Sequence, residues 1–163
     1  MGSGEVIVVG VDGSPKSRDA LEYAVSEAVR RDAVLRVVSV FESAGRFGAR
    51  YGVPIPVSDQ EIAKKVEAET RVLVNEVLRS QPKPPPVQVV ARAGAAGWVL
   101  TNESSAANLL IVGHRGLGGV ASTLLGSVGL HCVLYAQCPV TVVRPRTERH
   151  TEPAAIEVAA TST

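Results

Sequence analysis

Leu109-Leu-Ile-Val-Gly113-His-Arg-Gly116-Leu-Gly-Gly-Val-Ala-Ser-Thr-Leu-Leu-Gly126-Ser127 is the stretch on which the fold turns. Its first four residues form a short apolar run of the kind that lies fully buried in a sheet. The segment behind it, Val128 to Ala136, reads as a helix. A glycine-rich loop between a buried strand and a helix start is where open α/β folds hold phosphates. Backbone N–H groups there lack helical partners, and the helix dipole favours negative charge. Ser127 would add a hydroxyl donor where that helix begins. The plainer alternative is a flexible turn.

Upstream of this stretch, strands and helices alternate. Val6 to Val11 is an apolar run that ends at Asp12-Gly13-Ser14-Pro15, where Ser14 can cap a helix carrying proline in its first turn. Ala20, Leu21, Ala24, Val25, Ala28 and Val29 then recur at helical spacing. Leu35 to Phe41 is a second strand, followed by a Gly- and Pro-containing connection from Glu42 to Val57 that is long for a loop. Ser58-Asp-Gln-Glu61 is a capping-box pattern opening a helix that Pro82-Lys-Pro-Pro-Pro86 brings to a stop. Val87 to Ala91 is a third strand and Gly94 to Ser104 a weaker helix. Leu109 to Val112 and Val140 to Val143 supply strands four and five. This alternation predicts an α/β fold: a single doubly wound domain with a parallel sheet and helices on both faces. The domain is expected to span residues 1–145, with a disordered tail over 146–163.

Composition narrows the function classes. The 163 residues suit one domain, with 45% hydrophobic and 20% charged residues and only 4% aromatics. A net charge of +1 argues against an electrostatically driven nucleic-acid binder. No segment has the apolar length of a transmembrane helix, and the N-terminus lacks a basic signal-peptide region. Cys132 and Cys138 have no zinc or redox spacing; they read as reduced and buried, which fits the cytosol.

Three templates test the glycine-rich loop. The pattern G-x4-G-K-S/T fails because no lysine precedes Ser127, which removes the residue that P-loop phosphoryl transfer depends on. The dinucleotide pattern G-x-G-x-x-G/A matches Gly116 to Ala121, but late in the chain and without an acidic residue about twenty positions on. The pattern G-x2-G-x9-G-S/T is met in full by Gly113, Gly116, Gly126 and Ser127.

With that third pattern the chain resembles the universal stress protein family. Val8-Val-Gly-Val-Asp12-Gly-Ser14 is similar to the family's first strand and its following Asp. Leu109 to Gly113, Leu124 to Val128 and Cys138 to Val143 are similar to its later blocks, so the likeness runs from Glu5 to Pro145. The resemblance implies a five-stranded parallel sheet of order 3-2-1-4-5. It also implies a cytoplasmic homodimer paired through the last strand, Val140 to Val143, and binding of ATP or a related nucleotide (ADP, AMP or cyclic AMP). Carried over by position, Asp12 would contact the ribose and the backbone of Val40 the adenine edge. Gly113 and Gly116 would permit close approach, and Gly126, Ser127 and Val128 would hold phosphate oxygens. Asn108 stands where the family commonly has Asp, and the helix at Gly94 lacks the family's proline while Gly97 should weaken it.

Other residues have two readings each. Arg115 either neutralises phosphate charge or is a solvated surface arginine. Asp12 before Gly-Ser-Pro is a ligand contact or a turn residue. His114 and His131 have no partner at metal-ligand spacing, so magnesium would arrive with ATP, held through phosphates and water. Trp98 reads as core or interface, and Arg30-Arg31 as a solvated helix end. No paired carboxylates or Ser-His-Asp ordering stands out. The leading function is therefore an ATP-binding regulatory, stress-response module, with a slow ATP hydrolase or a nucleotide-independent dimeric scaffold as alternatives. Phe47 and Tyr51 in the 42–57 connection mark a partner surface on composition alone.

Overall fold

The computed structural model describes residues 4–114 and 125–145. Its elements run β1 (Val6–Val11), α1 (Pro15–Arg31), β2 (Val34–Phe41), α2 (Ala44–Tyr51), α3 (Asp59–Leu78), β3 (Val87–Ala93), α4 (Ala96–Ser104), β4 (Leu109–Gly113), α5 (Ser127–Tyr135) and β5 (Val140–Val143). The five strands form one parallel sheet of order β3-β2-β1-β4-β5. The order implied by the resemblance is therefore the order found.

Period-two alternation sends successive strand residues to opposite faces, and each face has its own core. Ile7, Val9, Leu35, Val37, Val89, Leu109 and Ile111 pack under α1 and α3 through Leu21, Ala24, Val25, Ala28, Val74 and Val77. Val8, Val38, Leu110 and Val112 meet Leu100 of α4 and Cys132 of α5 on the other face. The central strands β1 and β4 are buried on both sides, which is why they read as unbroken apolar runs. Asn108 ties them together at their start. Its Oδ1 accepts the Val6 N–H at 2.9 Å and its own N–H donates to the Val6 carbonyl at 2.8 Å. An Asp could accept there as well, so the departure from the family residue keeps the turn.

The caps behave as their sequences predict in two helices. Ser14 Oγ accepts the Ser17 N–H at 3.2 Å at the head of α1, with Pro15 in its first turn. Ser58 and Glu61 form the reciprocal capping box of α3. Arg30 and Arg31 do end α1, but both pair with Glu27 one turn earlier rather than standing alone.

The 42–57 connection differs from expectation because it contains a helix. Ser43 Oγ caps α2 through the Arg46 N–H at 3.2 Å, and Asp59 Oδ1, on α3, accepts the Ala44 N–H at 2.7 Å. Phe47 and Tyr51 sit one turn apart with ring centroids 4.6 Å from each other. Gly52, at φ +66°, ends the helix in the left-handed conformation.

Candidate functional site

Chain order reverses between β1 and β4, so the carboxyl ends of these strands open the crevice where doubly wound sheets receive ligands. Val9 lies beside Ile111 and Val11 beside Ser39. Carrying that register forward by one to three residues sets Asp12 level with Val40 on one side and His114 on the other. Residues expected from sequence to act together, Asp12, Val40 and Gly113, thus share one end of the sheet.

The β1 exit is shaped by its own side chains. Asp12 Oδ1 accepts the Ser14 N–H at 3.0 Å, an Asx turn that fixes the carboxylate above the strand end while leaving the residue exposed. Gly13 follows at φ +77°, a conformation that a side chain would strain. Asp12 is therefore a turn residue, and the turn holds its carboxylate at the crevice. The two readings of this residue are compatible.

The β4 exit and the head of α5 are joined at a neck. Gly126 N–H donates to the His114 carbonyl at 3.0 Å, and His114 N–H donates to the Val143 carbonyl of β5 at 2.8 Å. His114 and Gly126 are thus held together at the head of α5. His114 itself is buried, at 6% exposure. Gly126 is the N-cap of α5, so Ser127 occupies the first helical position instead of capping the helix through its side chain. Ser127 and Val128 are exposed, with their N–H groups in the first turn where no intrahelical acceptor exists. Arg115 and Gly116 lie outside the described residues, as does the 146–163 tail.

Two glycines permit close approaches around α5. A Cβ on Gly129 would stand 2.9 Å from Leu125 Cδ1, so glycine leaves room for the Leu125 side chain against the first turn of α5. Gly97 allows the same kind of approach between α4 and α5, since a Cβ there would stand 2.8 Å from His131 Cγ. Its position three residues after Gly126 was the one available signal for Gly129. Gly97 was read as a weakness in α4, which forms regardless because close packing on α5 outweighs its poor propensity.

The arrangement offers a carboxylate that can accept from sugar-type hydroxyls, helix-start N–H groups that can donate to anionic oxygens, and partial positive charge from the α5 dipole. Among the described residues no cluster of three or more His, Cys, Asp or Glu side chains could hold a metal ion. Burial pushes the Cys132 thiol up to about 11 and raises the Cys138 thiol as well, so neither is an activated nucleophile.

A second surface lies away from the crevice. Trp98 of α4 is 66% exposed, and Leu130, Val133, Leu134 and Tyr135 of α5 are exposed beside it. His131 sits between the Trp98 and Tyr135 rings at 5.1 and 4.7 Å. No residue of α5 is an acid, lysine or arginine. Among the described residues the adjoining strand β5 has only one neighbour in the sheet, β4, and a groove of about 510 Å³ runs between it and Asp19, Glu22, Tyr23 and Ser26 of α1. At the opposite edge Glu67 Oε1 of α3 accepts the outward Ala91 N–H of β3 at 3.4 Å. Among the described residues no helix is long and apolar enough to cross a membrane.

Comparison with known proteins places this geometry in context. Residues 5–144 match the model of the universal stress protein family. A universal stress protein of Mycolicibacterium smegmatis is 35% identical over 143 residues, covering 86% of this chain and 46% of its own length. One from Mycobacterium tuberculosis is 35% identical over 159 residues, covering 88% and 50%. The chain spans about half the length of the curated relatives it matches. Among solved structures, the protein UspA from Lactobacillus plantarum superposes with a TM-score of 0.64 at 21% identity, covering 86% of this chain and 97% of that one. A universal stress protein solved in complex with cAMP gives 0.59 at 22% identity, covering 86% and 96%. One from Archaeoglobus fulgidus in complex with dAMP gives 0.59 at 20%, covering 85% and 96%.

Proposed function

The chain belongs to the universal stress protein family, and from that premise we propose that it is an adenine-nucleotide-binding regulatory module of the cytoplasm. It takes ATP at the β1–β4 crevice and works as a homodimer joined along β5. The observation that carries the reading is the neck. The hydrogen bond from Gly126 to His114 gathers both ends of the glycine-rich segment at the switch point, level with Asp12 and Val40. Two relatives of the same fold were solved with cAMP and dAMP, which supports an adenine nucleotide as the ligand class.

In this reading Asp12 accepts from the ribose hydroxyls, and the Val40 backbone meets the adenine edge. Gly113 and Gly116 let the chain approach the sugar and phosphates, and Arg115 offsets phosphate charge. The N–H groups of Gly126, Ser127 and Val128 with the Ser127 hydroxyl hold phosphate oxygens. Magnesium enters through the phosphates and water rather than through side chains. The β5 edge, uncovered among the described residues, and the apolar face of α5 support self-association there.

Calorimetric titration of nucleotide-stripped protein with ATP, ADP, AMP and cyclic AMP tests the reading. Saturable binding of ATP, lost in Gly126→Val and weakened in Asp12→Ala, is the expected result. A folded protein that takes up none of the four at millimolar concentration overturns it.

A further inference from the structure

Helix α5 carries one side chain able to hold a positive charge, His131, in the middle of an otherwise apolar surface. The His131 ring is half-buried between those of Trp98, at 5.1 Å, and Tyr135, at 4.7 Å. Gly97 makes its seat, because a Cβ there would stand 2.8 Å from His131 Cγ and 2.9 Å from its Cβ and Cδ2. The imidazole therefore rests on bare backbone of α4. Its Nε2 is sealed from water and has no hydrogen-bond partner among the described residues.

The elements packed around His131 supply no counter-charge. The acid of α4, Glu103, is engaged by Arg36 of β2 and Arg92 of β3, each at 3.2 Å. Strands β1, β4 and β5 contain no ionisable side chain. Cys132, Tyr135 and Cys138 offer thiols and a phenol rather than a carboxylate, while Arg144 and His114, just beyond β5 and β4, are bases themselves. An imidazolium donates from both nitrogens, so protonation would put an N–H cation at Nε2 with neither acceptor nor water. The faces of Trp98 and Tyr135 return part of that cost, but less than the hydration a buried charge forfeits. The charged ring leaves its seat for water instead.

Resting on the homodimer reading above, we propose that His131 is a proton switch for self-association through the α4–α5 face. Neutral, it completes a three-ring apolar surface with Trp98 and Tyr135 that a second copy covers. Protonated, it abandons the stack and sets a cation in the middle of that surface. A second copy is the occupant because a twofold contact brings the same patch of both chains together. A helix without acid, lysine or arginine meets its own copy without repulsion. Two imidazoliums do not, since each approach of the copies draws like charges together and strips their water. The free chain thus binds protons that the dimer excludes, so association is favoured at higher pH and weakens as pH falls through the histidine range.

Sedimentation equilibrium of the full chain at pH 8 and pH 5, with circular dichroism to verify the fold at both, tests the switch. The parent dimer should weaken about tenfold at the lower pH. His131→Phe keeps three rings but no titratable nitrogen, and its dimer should hold the same affinity at both. His131→Gln, neutral and polar, is the second pH-insensitive variant should phenylalanine fail to pack. Every other titrating group is common to parent and variants, so their difference belongs to His131. Equal parent affinity at the two pH values, or an equal loss in the variants, overturns the switch and leaves the dimer intact. A chain that is monomeric at pH 8 even at millimolar concentration removes the dimer reading and the switch with it.

Discussion

Gly10 lacks a side chain because Leu100 fills the space that one would need: a Cβ there would stand 2.7 Å from Leu100 Cδ1. Gly10→Ala should cost about 1–3 kcal/mol in urea unfolding, as overpacked cores do. Adding Leu100→Val should return part of it, and two strictly additive losses would show that the contact is not the cause. At Cys132, full burial holds the thiol near 11, so at pH 8 only about one molecule in a thousand carries a thiolate there. A disulfide reagent should leave Cys132 untouched in native protein, modify Cys138 slowly, and titrate two thiols in denaturant. Single residues were legible in sequence when their partners are local. Asp12, Ser14 and Ser58 announce themselves because each bonds within three positions. Gly10, Gly97 and Gly129 did not, since the atoms that demand glycine come mostly from other elements and the sequence alone does not say which elements meet.

Helix α3 illustrates how far a local pattern carries. Ser58 N–H and Oγ both donate to the Glu61 carboxylate, at 2.9 and 2.8 Å, and these bonds hold its pKa below the ordinary 4.5. A carboxylate with a lowered folded-state pKa contributes stability above its unfolded value, and the contribution fades as pH falls through the folded one. The urea midpoint of Glu61→Gln should therefore lie below that of the parent at pH 7, and the two should converge in acid; a gap that persists at low pH would contradict the assignment. Helix α2 was hidden for the opposite reason. Gly45 and Gly48 depress its propensity, and its cap comes partly from Asp59, fifteen positions beyond the Ala44 N–H it accepts. A helix that borrows a partner from the start of the next one leaves no periodic signature of its own. The boundaries of α4 moved similarly, because Gly94 at φ +145° and Ala95 lie before the helix rather than in it.

The sheet as a whole shows where pattern reading stops. Alternation gave five buried strands and their sequence order, but strand neighbours came only from the family likeness, since no residue of β1 advertises that β4 will lie beside it. The neck was half legible: its glycines were visible, while the bridge from His114 to both Gly126 and Val143 exists only once β4, α5 and β5 are assembled. Two measurements address the assembled molecule. ATP at a hundred times its dissociation constant should stabilise the fold by about 2.7 kcal/mol, read as a rise in thermal midpoint that Gly126→Val abolishes. Thr141→Lys, on the uncovered strand and outside both cores, should shift sedimentation toward monomer; a dimer that survives it would place the contact elsewhere.

The two borders of the sheet are unequal, and that inequality limits growth. On the β3 side the Glu67 carboxylate occupies an outward amide, and Pro84, Pro85 and Pro86 just before the strand have no N–H to offer. In the proposed dimer two copies join along β5 about a twofold axis, and each then turns its β3 border to the outside. Glu67 engages one outward amide of that border. On that proposal Glu67→Ala should leave nucleotide binding intact and promote strand addition at β3, read as higher-order species in sedimentation.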